Sequence, residues 1–547
     1  MRKLFSIIVF TLAIAATATA VPAYRGPIVR TMEDGSEKIV YLHGNEHFHY
    51  MTDSAGMWLD EKRLTPLTDA QKTARLEQMH HADARRAPQQ QQSLGDEPYL
   101  VPRTLVLLVN FADTKFSTPK DTIDSLINGS HFTRDYTVKT IVDKWTIYKH
   151  VTSSGSARQY FQDQSYGQYN PIFDVVGPVN LSKKASYYGQ NDEKGKDTRA
   201  YEMIKDACAK ADANGLDFRK YDSNNDGYVD VVYVIYAGFG EADGGPDSTI
   251  WPHQSDVSNY QYRHDGKYIG RYACGRELDF TSKLYAGIGT LCHEFSHVLG
   301  LPDMYENNKE SLGLHTLCNW DIMDQGSYNN DGNTPPAYSA YERFYMGWLT
   351  PRVLTAPEYV TLQSINEGEG ESLLVSETNA HNLIGWNPSP TTFYLLENRK
   401  KEGWDKQLPG DGMLITRITF NRSLWRSNKV NTSEQTMGID ILEARPNTTD
   451  SGMSSDAFPT SSVNQWTDIK GHEITDITWS EDGLIRFSYR GAPMPEGVED
   501  VRGDDVRCTK VLRNGQLYIL YEGTMYDAQG RRVRECRVKS EYEDYQL

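Results

Sequence analysis

The run Leu291-Cys292-His293-Glu294-Phe295-Ser296-His297-Val298-Leu299-Gly300-Leu301-Pro302-Asp303 constrains this chain more than any other. Residues four apart on a helix stand one turn above the other, about 40° apart around the axis, so the spacing predicts that His293 and His297 share a face. Ile288, Leu291, Phe295, Val298 and Leu299 fall on the opposite side, which sets the helix on a core and turns both imidazoles toward a cleft. Gly300 suits the left-handed conformation that ends a helix, and Pro302 prevents its resumption. That sharp exit returns Asp303 toward the histidines. Two imidazoles and a carboxylate so placed form a ligand set for zinc, His293, His297 and Asp303, with Glu294 beside them. Three protein ligands leave zinc a fourth position for water, whose pKa falls toward ~7. Glu294 is then the expected general base, and the expected reaction is peptide-bond hydrolysis without a covalent intermediate.

The surroundings narrow the class. The chain has 547 residues and a net charge of −17, an acidic balance that argues against nucleic acid and anionic membrane as partners. Aromatic residues make up 11% of it, too many for a disordered chain. Arg2 and Lys3, the apolar run Leu4 to Ala16, and Ala18-Thr19-Ala20 read as a cleavable signal peptide over residues 1–20. No later segment approaches a membrane span. The expected destination is outside the cell, secreted or cell-surface, by bacterial-type export. Six cysteines (Cys208, Cys274, Cys292, Cys318, Cys508, Cys536) permit disulfides there, with Cys508 and Cys536 able to close a loop in the tail.

Along the chain, residues 21–98 hold short alternating stretches such as Lys38 to Leu42, then a charged helical stretch near Asp69 to Ala82. They end in Arg85-Arg86 and the run Gln89 to Gln92, a linker open to proteolysis. Leu105 to Val109 and Val229 to Tyr236 are continuous apolar runs of the kind buried on both faces, and Ser156 to Phe161 and Ala200 to Lys210 read as helical. The expected fold is α+β: a catalytic domain over 99–350, then a β-rich, sandwich-like module over 351–495 with strands at Phe393 to Leu396, Met413 to Ile418 and Ile485 to Tyr489. A tail over 496–547 carries Asn514-Gly515 between two strand-like runs, a hairpin signal.

The extended motif H-E-x-x-H-x-x-G-x-x-D resembles that of the immune inhibitor A family of secreted zinc metallopeptidases, which are metzincin-like in fold. Gly155 to Phe161, Ser165-Tyr166-Gly167, Val176 to Val179, Tyr394 to Arg399 and Pro409 to Ile415 are similar to the family as well. The resemblance spans roughly residues 25–450 and includes a propeptide-like segment with His43-Gly44-Asn45-Glu46. It implies His293, His297 and Asp303 as zinc ligands and Glu294 as catalytic base. Metzincins place a methionine turn beneath the metal, and Trp320 to Gly326, with Met323, is similar; the alternative is an ordinary core methionine. Metzincins usually have His where Asp303 stands, which leaves Glu306 and His315 as reserve ligands. Several have Tyr two residues after the methionine, where this chain has Gln325, so Tyr328, Tyr338 and Tyr341 are candidates for stabilising the oxyanion. The tail is similar to the C-terminal sorting domains of type IX secretion, which implies contact with export machinery.

Asp222, Asn224, Asp226 and Asp230, with Gly227 at the sharp turn, match most of a calcium loop, although position 12 is Tyr233 rather than Glu. The alternative is an Asx-rich turn. A latent form has no Cys before Cys208 with which to block zinc, so it would use a carboxylate, a histidine such as His80 or His81, or occlusion. The leading reading is a secreted zinc endopeptidase acting on proteins or peptides. Its rivals are a zinc hydrolase of another amide or glycan substrate, and an inactive protease-derived binding module.

Overall fold

A computed structural model describes residues 19–83, 97–306, 316–495 and 508–527, apart from short gaps at 33, 47, 143–144, 193–194, 433–436, 446–452, 481, 514–515 and 522–523. Most of the expected signal peptide, the Arg85-Arg86 linker, His315 and Cys536 lie outside the described residues, as do the side chains of His80 and His81. The architecture is mixed α/β, with several sheets and few helices. Residues 1–490 form one unit and 491–547 another.

The first unit is organised by a six-stranded sheet. Its order is Thr19–Ala20, His253–Asp256, Arg271–Leu278, Val232–Phe239, Arg103–Asn110 and Ile172–Asn180. The last four are parallel, and His253–Asp256 runs antiparallel to Arg271–Leu278. The apolar run that opens this sheet is buried on both faces because successive side chains enter different cores. Leu105, Leu107 and Val109 meet Val232, Val234 and the helix Ala200–Ala213. Val106 and Leu108 meet Tyr233, Ile235, the helix Ala157–Gln164 and the helix Gly289–Leu299.

The same alternation mounts the β-rich region. A five-stranded sheet (Arg352–Val353, Leu373–Val375, Thr392–Arg399, Gly412–Thr419, Ile439–Ile441) and a three-stranded one (Glu358–Leu362, Ile485–Tyr489, Ile474–Trp479) share a core that includes Leu373, Val375, Leu396, Ile415 and Phe487. The intervening residues Leu374, Phe393, Leu395 and Leu414 turn to the other face and join the core of the Gly289–Leu299 helix. Near the start of the chain, Pro27–Thr31, Glu37–Asn45, Phe48–Thr52 and Trp58–Leu59 make a four-stranded antiparallel sheet. In the second unit Cys508–Arg513, Gln516–Tyr521 and Thr524–Asp527 form an antiparallel sheet, and Arg513 pairs with Gln516 around the Asn-Gly position. Cys208, Cys274, Cys292 and Cys318 are buried thiols. Among the described residues no helix is long and apolar enough to cross a membrane.

Candidate active site

The helix Gly289–Leu299 carries His293, Glu294 and His297, all buried. Gly300 ends it at φ 115°, its N–H on the carbonyls of His297 and Ser296, a conformation a β-carbon would strain. The chain reverses and carries Asp303 back, so that Oδ1 stands 3.3 Å from Nε2 of His293 and 3.1 Å from Nε2 of His297. The two Nε2 atoms are 3.2 Å apart.

The outer nitrogens decide what these atoms can bind. Nδ1 of His293 donates to the Ile322 carbonyl at 2.7 Å, and Nδ1 of His297 to the Leu301 carbonyl at 2.7 Å. A carbonyl oxygen only accepts, so each Nδ1 holds the proton and each neutral ring turns its Nε2 lone pair inward. Asp303 Oδ1 is buried and receives no hydrogen bond. Three buried acceptors that face one another with no donor between them fit a cation, and they are the one such group among the described residues. Burial alone raises the Asp303 carboxyl, and with two lone pairs facing it a cation is what would keep it charged.

The carbonyl that orients His293 belongs to the turn Asp321–Gly326, where Asp321 Oδ1 accepts the Met323 N–H at 2.7 Å. Met323 is fully buried in the core under the helix, and its own carbonyl accepts the Met304 N–H.

A segment of the chain lies across this site. Thr19–Ala20 pairs antiparallel with His253–Asp256, Ala20 opposite His253. Val21 N–H donates to Glu294 Oε1 at 2.8 Å, and the Tyr305 hydroxyl donates to the Ala20 carbonyl at 2.6 Å. Next along, Trp251 Nε1 donates to the Val21 carbonyl at 3.0 Å, the Tyr328 hydroxyl to that of Pro22 at 2.8 Å, and Gln325 Nε2 to that of Ala23 at 3.1 Å. Burial first, then the Asp303 charge, push the Glu294 carboxyl well above its usual range, while the Val21 N–H pulls it back. Its Oε2 is buried without a partner.

Residues 91–349 match the family model described as immune inhibitor A peptidase M6, catalytic domain. That stretch belongs to the immune inhibitor A peptidase family. The chain is 28% identical over 264 residues to Immune inhibitor A of Bacillus thuringiensis subsp. alesti, covering 43% of this chain and 38% of that one. It is 25% identical over 283 residues to the pre-pro-metalloprotease PrtV of Vibrio cholerae serotype O1, covering 45% of this chain and 30% of that one. The chain thus spans about a third of the length of the curated relatives it matches. The matched domain is of the metallopeptidase type, a class that works through a bound metal.

The other residues singled out by sequence are distributed as follows. Glu306 pairs with Arg25, away from the His-His-Asp cluster. Tyr338 hydrogen-bonds Ser296 behind the helix, and Tyr341 packs against Tyr345 and Trp425. Tyr328 alone of the three candidate tyrosines touches the segment in the cleft, and Tyr305, which sequence reasoning passed over, touches it at Ala20.

The Asp222–Asp230 loop closes on its own hydrogen bonds and gives the calcium expectation no support. Asp222 accepts the N–H groups of Asp226 and Gly227 and holds the Lys267 ammonium; Asp230 accepts Ser223 N–H and the Tyr99 hydroxyl. Asn224 Oδ1 and Asp226 Oδ1 take the N–H groups of Asp226 and Tyr228. These contacts form an Asx-rich turn with Lys267 as the cation on Asp222. Calcium finds no support here.

Proposed function

We propose that this chain is a secreted zinc endopeptidase, made as a latent precursor. One observation carries the reading: residues 21–23 of the chain itself lie beside the His293, His297, Asp303 cluster, with the Val21 nitrogen on Glu294 and the carbonyls of Val21, Pro22 and Ala23 held by Trp251, Tyr328 and Gln325. In this reading residues 1–20 are the signal peptide and 21–98 the propeptide. A metzincin-like catalytic domain follows over 99–350, then the β-rich module 351–495 and the tail 496–547, which contacts the export machinery.

Zinc bound by His293, His297 and Asp303 would act as a Lewis acid on the substrate carbonyl and lower the pKa of a water toward ~7. Glu294 takes that water's proton as its oxygen adds to the carbonyl carbon. It returns the proton to the amide nitrogen, the C–N bond breaks, and a carboxylic acid and an amine leave. A substrate adds to the His253–Asp256 edge as Thr19–Ala20 does, because an edge strand offers unpaired backbone groups to an extended peptide. While residues 21–23 lie across the cleft, the proposed latency is occlusion, the third of the routes the sequence allowed. Met323 and Gly300 serve the site structurally.

The test is hydrolysis of a fluorogenic peptide by the full chain before and after limited trypsin treatment. Strong hydrolysis after treatment only, and a loss of ~10²-fold or more in Glu294→Gln, is the expected result. Equal hydrolysis before and after would remove the latency, and equal hydrolysis by Glu294→Gln would remove the base.

A further inference from the structure

We propose that Tyr305 is the oxyanion donor of this site, a catalytic residue two positions beyond the Asp303 ligand. The inference rests on the peptidase reading above and deepens it.

Hydrolysis of a peptide bond makes two demands at its two ends. The nitrogen must receive a proton before it leaves, and the carbonyl oxygen must be stabilised as it becomes an oxyanion. The Ala20–Val21 bond, which the chain holds until the signal peptide is removed, stands in for a substrate's and shows which residues meet each end. Its N–H points at the Glu294 carboxylate, 2.8 Å away, so the group that delivers the proton is in place. Its carbonyl oxygen accepts the Tyr305 hydroxyl at 2.6 Å. Both contacts fall on one peptide unit, and that unit continues the strand pairing of Thr19–Ala20 with His253–Asp256, the course an extended substrate would follow. Tyr305 is 1% exposed, so its hydroxyl acts away from bulk water, where a preorganised donor is strongest. Tyr328 holds the Pro22 carbonyl, two peptide units from the bond that Glu294 addresses, which makes it a residue for binding and not for the reacting oxygen.

During reaction the water oxygen bonds to the carbonyl carbon and the carbonyl π electrons move onto oxygen, where the Tyr305 hydroxyl donates without giving up its proton. The electrons return as the C–N bond breaks. The hydroxyl is regenerated unchanged, so the step needs no further reactant.

The experiment uses the full chain, zinc-loaded and trypsin-activated, as the parent and as Tyr305→Phe and Tyr328→Phe. Steady-state kinetics on a peptide substrate are paired with metal analysis, thermal midpoint, and calorimetric affinity for a phosphinic peptide, a stable mimic of the tetrahedral oxyanion. Tyr305→Phe is expected to lower kcat by ~10²-fold or more with KM within about threefold, to keep its zinc, and to weaken phosphinate binding by a similar factor. Tyr328→Phe is expected to raise KM and spare kcat. Where Tyr305→Phe fails to fold, 4-fluorophenylalanine and 4-aminophenylalanine at position 305 decide the matter, since both fill the tyrosine's space and only the amine donates; the amine is expected to restore at least tenfold of the rate. A kcat within about threefold of the parent, with zinc bound, overturns the proposal. Loss of zinc in Tyr305→Phe also overturns it, because the hydroxyl would then be supporting Asp303. If the parent cleaves no peptide, the peptidase reading itself fails; if parent and Tyr305→Phe cleave alike, only this inference does.

Discussion

Asn428 grips Asp303 at two points: its Oδ1 accepts the Asp303 N–H at 2.7 Å, and its Nδ2 donates to Asp303 Oδ2. Asn428 lies in the β-rich region, 125 residues away in sequence, with φ 53°. Asn431 adds a bond to the Met304 carbonyl at 2.7 Å. The ligand that the helix alone cannot position is therefore fixed from the β-rich region. Outer partners of metal ligands typically matter by 10- to 100-fold in metal affinity. Asn428→Ala should weaken zinc binding by about that factor with the fold retained, read by competition with a zinc-buffering chelator. Unchanged affinity would make the contact incidental.

The seat of residues 19–24 makes a second prediction. Ile28 is fully buried with Ala242, Trp251 and Tyr328 beneath the N-terminal sheet and abuts Gly244. Removing its side chain to Ala costs about 2–5 kcal/mol at a buried site. Ile28→Ala should leave the trypsin-activated enzyme identical to the parent, since the residue is removed, and should raise the activity of the uncleaved chain. An uncleaved variant as silent as the parent would mean that latency does not rest on this packing.

Asp197 predicts a pH dependence. Its Oδ2 accepts the Trp251 N–H at 2.8 Å while Oδ1 is buried without a partner, and burial pushes its pKa up to about 8. An unfolded Asp titrates near 4, so between about pH 4 and 8 the folded chain holds a proton that the unfolded chain has lost. Its contribution to stability is complete below about pH 4 and is lost as pH rises through 8. Thermal midpoints measured across that range should fall less steeply in Asp197→Asn than in the parent, and parallel curves would count against the assignment.

A fourth prediction concerns the Asp222–Asp230 loop. With Lys267 seated on Asp222, millimolar calcium should leave the thermal midpoint unchanged, because only a ligand that binds the folded state raises it. Lys267→Met should destabilise by about 2 kcal/mol, leaving Asp222 a buried carboxylate without its cation. A calcium-induced rise in the parent would restore the calcium reading.

What the sequence disclosed was local. The period of the Gly289–Leu299 helix, its glycine stop and the return of Asp303 all lie within fifteen residues, so spacing alone gave their geometry. Leu105 to Val109 announced a doubly buried strand by its unbroken apolarity, and the alternation in Phe393 to Leu396 and Met413 to Ile418 announced a sheet. The rest depends on contacts between distant segments. Asn428 sits in a polar stretch with no pattern, and Val21 reaches Glu294 across 273 residues. Tyr305 was one of 34 tyrosines, and nothing in its neighbours separates it from Tyr338, which the fold turns behind the helix. The Asp222–Asp230 loop has the spacing of a ligand set, but its sequence could not show Lys267, brought from a separate strand onto Asp222.

The most direct test of the central claim is metal content measured together with casein cleavage, on trypsin-activated protein before and after removal of metal by a chelator, with zinc added back. The expected result is about one zinc per chain, cleavage that disappears with the metal and returns with it, and zinc without cleavage in Glu294→Gln. Cleavage that persists in metal-free protein, or a folded chain that takes up no zinc, would contradict it.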